Sequence, residues 1–182
     1  SAPWFLFEIL LYAGLLLLVL GLPGMYLRQS GRAGMLGFAG FLLLLLGLLF
    51  TWAFASARVV IWPYFAQSAP SLLPSGNQGP ALGFLLWIMI PIVFLILGEI
   101  LLGISILRTG VFPRPVGWLF IAAGVLNILT FFLPPSDIAE IMDPITDAVF
   151  FIAFTWMGYI LTSRAGSQTG PQTASPSPAQ PE

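Results

Sequence analysis

The stretch Phe41-Leu42-Leu43-Leu44-Leu45-Leu46-Gly47-Leu48-Leu49-Phe50 contains no polar side chain, and it sits inside a longer run without a charge from Met35 to Ala57. A helix rises 1.5 Å per residue, so about 20 such residues cross the ~30 Å hydrocarbon layer of a bilayer. Four further stretches approach that length: Trp4 to Leu27, Ala81 to Leu107, Val116 to Leu133 and Ile145 to Thr162. Lipid offers no partner to a bare backbone amide, so each run must close its hydrogen bonds internally, as a helix does. The period-two alternation of an outer-membrane strand is missing. These runs predict an all-α, polytopic transmembrane bundle over residues 1–163 with five spans, followed by a disordered cytoplasmic tail over 164–182 that is rich in Pro, Ser, Gln and Thr.

Composition narrows the function classes. Charged residues are 7% of the 182 and hydrophobic ones 58%, against about 25% charged in a soluble domain. With no Cys and no His, disulfides, thiol nucleophiles, imidazole acid–base chemistry and thiolate or imidazole metal sites are excluded. Six Arg against seven acidic residues leave a net charge of −1, and no basic footprint for nucleic acid. No nucleophile elbow, phosphate-binding loop or dinucleotide fingerprint occurs. The expectation is a non-enzymatic protein without cofactor or metal, whose surroundings are lipid and whose partners are a second copy or another membrane protein.

The breaks between spans are marked by polar and turn-forming residues. Arg28-Gln29-Ser30-Gly31-Arg32-Ala33-Gly34 reads as a turn, as does Arg108-Thr109-Gly110-Val111-Phe112-Pro113-Arg114-Pro115, where Gly110 suits a left-handed cap. A longer Pro/Ser/Gly loop is expected from Pro63 to Pro80, with Trp62, Tyr64 and Phe65 at the lipid–water interface. Pro23 reads as a terminator or kink of the first helix, and Pro91 as a kink in the third. Ser136 or Asp137, with Glu140, suits the cap of a short interfacial helix, and Asp143-Pro144 the start of the fifth span, with Asp147 near its positive end. Capping accounts for these carboxylates without a cation. Glu8 lies a turn inside the first helix and can reach water.

Arginines at 28, 32, 108, 114 and 164 fall on one side of a five-span chain, with only Arg58 on the other. Positive residues mark the cytoplasm, which places the N-terminus outside and the C-terminus inside. The chain begins with Ser rather than Met; a processed start, a cleaved signal or an upstream helix would each explain it, and an upstream helix would make six spans. Trp4 to Leu27 itself lacks the basic start of a signal peptide.

Two sets of residues stand out. Gly14 and Gly21, Gly40 and Gly47, and Gly117 and Gly124 each recur after seven residues, on one helix face. Small residues let transmembrane helices approach closely, so these are expected packing seams within one chain, or a face between two copies. Glu99 is the other. It lies roughly 13 Å inside the cytoplasmic end of its helix, where a carboxylate costs several kcal/mol unless paired, hydrated or protonated. Asn127, on the antiparallel neighbour, stands at a similar depth and is its expected partner. Together they form a candidate ion or ligand site; the simpler alternative is one interhelical hydrogen bond. The leading expectation is a structural, accessory or regulatory membrane component, and the alternative a small transporter or proton-coupled carrier using Glu99.

The run Leu107-Arg108-Thr109-Gly110-Val111-Phe112-Pro113-Arg114-Pro115-Val116-Gly117-Trp118-Leu119, continuing to Ala123-Gly124, resembles small multi-pass bacterial inner-membrane proteins. In these a helix ends in Arg-x-Gly and a Pro-Arg turn leads into a Gly-rich helix. The families are largely uncharacterised, several being domains of unknown function. The resemblance covers about fifteen residues and implies a bacterial inner-membrane location, with no catalytic residue carried over.

Overall fold

The computed structural model describes residues 2–68, 82–133 and 137–166. All the regular structure among them is helical: α1 (Ala2–Ser56), a π-helical turn (Ala57–Ile61), α2 (Trp62–Ser68), α3 (Leu82–Thr109), α4 (Arg114–Phe132) and α5 (Asp137–Gly166). Four helical segments are long and apolar enough to cross a membrane.

The first of these is not one rod. Gly34 has φ 55° and ψ −163°, outside helical space, and divides α1 into an N-arm (residues 2–33) and a C-arm (35–56). Tyr12 stacks on Trp52 with ring centroids 5.2 Å apart, and Tyr26 on Phe41 at 4.4 Å. Tyr12 and Trp52 would be about 60 Å apart on a straight helix, so the arms fold back against each other. The reversal is sharper than the seven-residue turn expected over Arg28 to Gly34. Arg28 to Ala33 stay helical, and the Ser30 hydroxyl donates back to the Leu27 carbonyl at 2.9 Å. Pro23 lies inside the N-arm without ending it.

Neighbours in sequence pack as neighbours in space. The C-arm lies on α3, α3 on α4, α4 on α5, and the N-arm returns to α5. A Cβ on Gly40 would stand 2.6 Å from the Leu102 amide nitrogen, one on Gly47 2.8 Å from that of Leu95, and one on Gly98 would overlap the Leu44 backbone. Gly103 and Gly117 bring α3 and α4 together in the same manner, each Cβ falling under 3 Å from the other's carbonyl oxygen, and Gly124 seats the Ile100 side chain. Backbones this close gain dispersion contacts that lipid tails cannot match.

Gly14 and Gly21 do not join these seams. A Cβ on Gly14 would meet nothing within 4 Å, and one on Gly21 only Met25 Cε at 4.0 Å. The N-arm turns Leu15 and Leu22 into the core instead, and each glycine, one residue earlier, is rotated about 100° away.

Three expected boundaries shift. Pro63 does not open a loop: the chain is helical to Ser68, and the wide π turn before Pro63 accommodates a residue without an N–H. Pro144 does not begin the last helix but lies inside α5, two turns from its start; the expected interfacial helix and fifth span are one. The tail begins no earlier than Ser167, because Arg164 to Gly166 continue α5. The third helix is continuous through Pro91. Gly110 has φ 62° and donates its amide to the Ile106 carbonyl at 3.1 Å, closing α3. The remainder of the loop to Pro80, Ser136, the rest of the tail, and the side chains of Glu8, Arg58, Asp137, Glu140 and Asp143 lie outside the described residues.

Three threonine hydroxyls inside the bundle find partners within their own helices. Thr51 donates to Gly47 O at 2.9 Å, Thr130 to Leu126 O at 3.0 Å and Thr146 to Met142 O at 3.0 Å. Such bonds to the preceding turn are the local means of carrying a hydroxyl in an apolar medium.

Candidate functional site

Glu99 belongs to α3 one residue after Gly98, the notch that receives the C-arm backbone. That notch fixes the rotation of α3, and the next residue is turned about 100° toward the interior. Glu99 is 2% exposed. On the facing turn of α4, the Asn127 amide nitrogen donates to Glu99 Oε2 at 3.1 Å, with Oε1 at 3.4 Å. Gly124, one turn below Asn127, sets the approach: its Cβ would lie 3.4 Å from the Glu99 Cβ.

The pair borders a cavity of about 150 Å³. Both arms of α1 and helices α3, α4 and α5 all contribute walls. Its polar lining is Thr51, Glu99, Asn127 and Asp147, and its apolar lining includes Leu15, Leu95 and Phe150. Gly47 stands against Leu95 and Gly98 against Leu44. This register puts the walls Leu48, Thr51 and Leu95 above Glu99, so the cavity rises toward the end of the bundle where α5 begins, with the exposed Asp147 beside Glu99. Toward the opposite end, which carries Gly34, Gly110 and four arginines, packing is dense. Leu22, Leu44, Leu102, Ile106, Phe120 and Met157 are each at most 2% exposed, and Phe120 meets Phe154 edge to face at 5.3 Å.

An amide serves a carboxyl in both of its forms. It donates through NH₂ to the carboxylate and accepts through its carbonyl from the carboxylic acid. Glu99 can therefore gain or lose a proton without losing its interhelical bond. Among the described residues, no group of three acidic, His or Cys side chains is placed to hold a metal ion.

The structure thus brings Glu99 and Asn127 together, with Gly124 beside them, while Gly40, Gly47 and Gly117 stand in the seams and Gly14 and Gly21 in neither. Sequence reasoning missed Thr51 and Asp147 as cavity walls. It also missed Gln29 and Ser105, which are 2% and 1% exposed with Gln29 Oε1 and Ser105 Oγ unpartnered in the structure. Gln29 sits in a segment whose arginines read as a surface turn; its position one helical turn before Ala33, itself buried, was the available signal.

Comparison with known proteins finds no family model, no curated protein and no solved structure that matches the chain.

Proposed function

We propose that this chain is an accessory or regulatory component of a bacterial inner membrane, crossing it five times, whose working group is a proton-binding carboxyl at Glu99. The cavity carries this reading. A pair serving only to join two helices needs no space beside it, whereas here walls from every crossing leave room around the carboxyl. The fold-back at Gly34 supports the five crossings, since each arm of α1 is long enough to span. The arginines at one end support an outside N-terminus and a cytoplasmic C-terminus. Five crossings are few for a complete transport path, which favours action alongside a second copy or another membrane protein over an independent carrier.

The test is the infrared band of a protonated carboxyl. The parent should show a C=O stretch that titrates with pH and is missing in Glu99→Gln, with both proteins equally stable in detergent. Glu99→Leu, which strands Asn127, should cost on the order of 1 kcal/mol. A parent spectrum identical to that of Glu99→Gln at every pH would remove the proton site. The remaining alternative, a purely structural pair, is favoured by the deep burial of Glu99. It predicts a band that does not titrate.

Orientation has its own test, because a chain without Cys gives a clean labelling background. Single cysteines at Ser30 and Thr109 should react only once the cytoplasmic face is opened. Those at Ser75 and Ser136 should react from outside with an impermeant reagent, and reversed labelling would invert the topology.

A further inference from the structure

We infer that Glu99 exchanges its proton with one face of the membrane only, through a water-filled vestibule lined by Asp147 and Thr51, and is sealed from the arginine-bearing face. This rests on the reading of Glu99 as a proton site and adds the route. Water enters a cavity when it finds both room and partners. A water molecule takes about 30 Å³ and typically needs two to four polar neighbours, so a cavity of about 150 Å³ has room for several.

The partners are spaced along the cavity. Glu99, Asn127 and Asp147 lie at similar depth, and Thr51 on the C-arm stands nearer the end where α5 begins, by the register of Gly47 with Leu95 and of Gly98 with Leu44. The Thr51 hydroxyl spends its proton on Gly47 O and presents lone pairs to accept from water. Among the described residues the N-arm contributes Leu11 and Leu15 to the lining, and Asp147 is the ionisable group that shares the cavity with Glu99.

Below Glu99 the chemistry reverses. Leu102 follows it at the next turn of α3, and with Leu22, Leu44 and Phe120 it forms a buried apolar layer. A layer of this composition holds no hydrogen-bonded water, so a proton has no carrier through it. The buried polar side chains nearer the arginines, Gln29 and Ser105, begin beyond Leu102, where Ser105 packs against Gly37 of the C-arm. The protein consequently registers the acidity of one compartment, and its occupancy at Glu99 is not a step in conduction.

Cysteine scanning measures this directly, since a thiol reacts with a charged reagent only where water reaches it as thiolate. Thr51→Cys, nearly isosteric, and Leu95→Cys probe the vestibule; Leu102→Cys probes the seal, and Ser105→Cys, also nearly isosteric, and Ile106→Cys the packing beyond it. Variants that elute as the parent by gel filtration are placed in sealed vesicles of known orientation. A charged, membrane-impermeant thiol reagent is then supplied from either side.

Reaction of Thr51→Cys or Leu95→Cys from the side on which α5 begins alone is expected, with Leu102→Cys, Ser105→Cys and Ile106→Cys about 100-fold slower or silent from both sides. Silence at both vestibule positions would mean a dry cavity and overturn the inference. Reaction of Leu102→Cys or Ile106→Cys from the arginine side would mean a second entrance and overturn it equally, in favour of a carrier. The infrared titration is independent of sidedness. A labelled vestibule with no titrating band would sink the proton site and leave the water route standing.

Discussion

Replacing Gly98 by leucine should prevent the bundle from forming, and replacing it by alanine should cost about 1–3 kcal/mol. A Cβ at this position overlaps the Leu44 amide nitrogen, and its next neighbours are the Leu44 Cα and Cβ. None of these is the far end of a side chain that can swing aside. The C-arm and α3 must therefore separate along their length, and Gly40 and Gly47 lose their contacts with Leu102 and Leu95 as well. Gly14→Ala, made in open space, is the control and should be close to neutral. Unfolding of the three variants in detergent, measured by loss of near-ultraviolet circular dichroism, checks the ranking. Equal stability of Gly98→Ala and Gly14→Ala would mean that the seam is looser than the structure shows.

Gly34→Ala should destabilise by about 1–3 kcal/mol for a different reason. Nothing lies within 4 Å of its Cβ position, so the cost is entirely backbone. A φ of 55° paired with a ψ of −163° is a conformation that glycine alone adopts readily. The relaxed alternative for alanine is helical, which would straighten α1 and pull Tyr12 away from Trp52. Gly31→Ala, three residues earlier in regular helix and equally unobstructed, should change stability in the opposite direction, by about 0.5–1 kcal/mol. The sign difference between two nearby Gly→Ala changes is the diagnostic. A stabilised Gly34→Ala would exclude the fold-back at this residue.

The apolar runs were legible because lipid permits one solution for such a stretch, and length times rise settles its extent. The depth match of Glu99 and Asn127 was legible by the same arithmetic, since a short turn sets the relative height of α3 and α4. Rotation about the helix axis was not. In runs such as Leu42 to Leu46 every face is apolar, and no hydrophobic pattern tells which glycine meets a neighbour. Gly14 and Gly40 therefore look alike in sequence and differ in the structure. Polar residues misled in the other direction. Arg28, Arg32 and Ser30 suggested a loop, yet at the end of a span water satisfies their side chains while the backbone stays helical. Pro63 and Pro144 suggested boundaries, yet the chain is helical through both, Pro63 after a widened turn and Pro144 two turns inside α5. The cavity beside Glu99 had no signal at all, because its walls come from all five helical stretches and depend on their tilts.

The packing of each helix chiefly on its predecessor bears on how such a chain comes to be built. Contacts between consecutive elements are short in sequence, and topologies rich in them form quickly. The two arms of α1 can close around Gly34 before α3 has been synthesised, α3 can dock on the C-arm before α4 appears, and α4 finds its seam ready in Gly103. Among the described residues the joint that spans the chain is the N-arm against α5, where a Cβ on Gly158 would lie 3.9 Å from Met25 Cε. That joint waits for the last helix, so the wall bearing Asp147 and Phe150 is the final piece to arrive, and the chamber beside Glu99 comes into being only when synthesis is nearly complete.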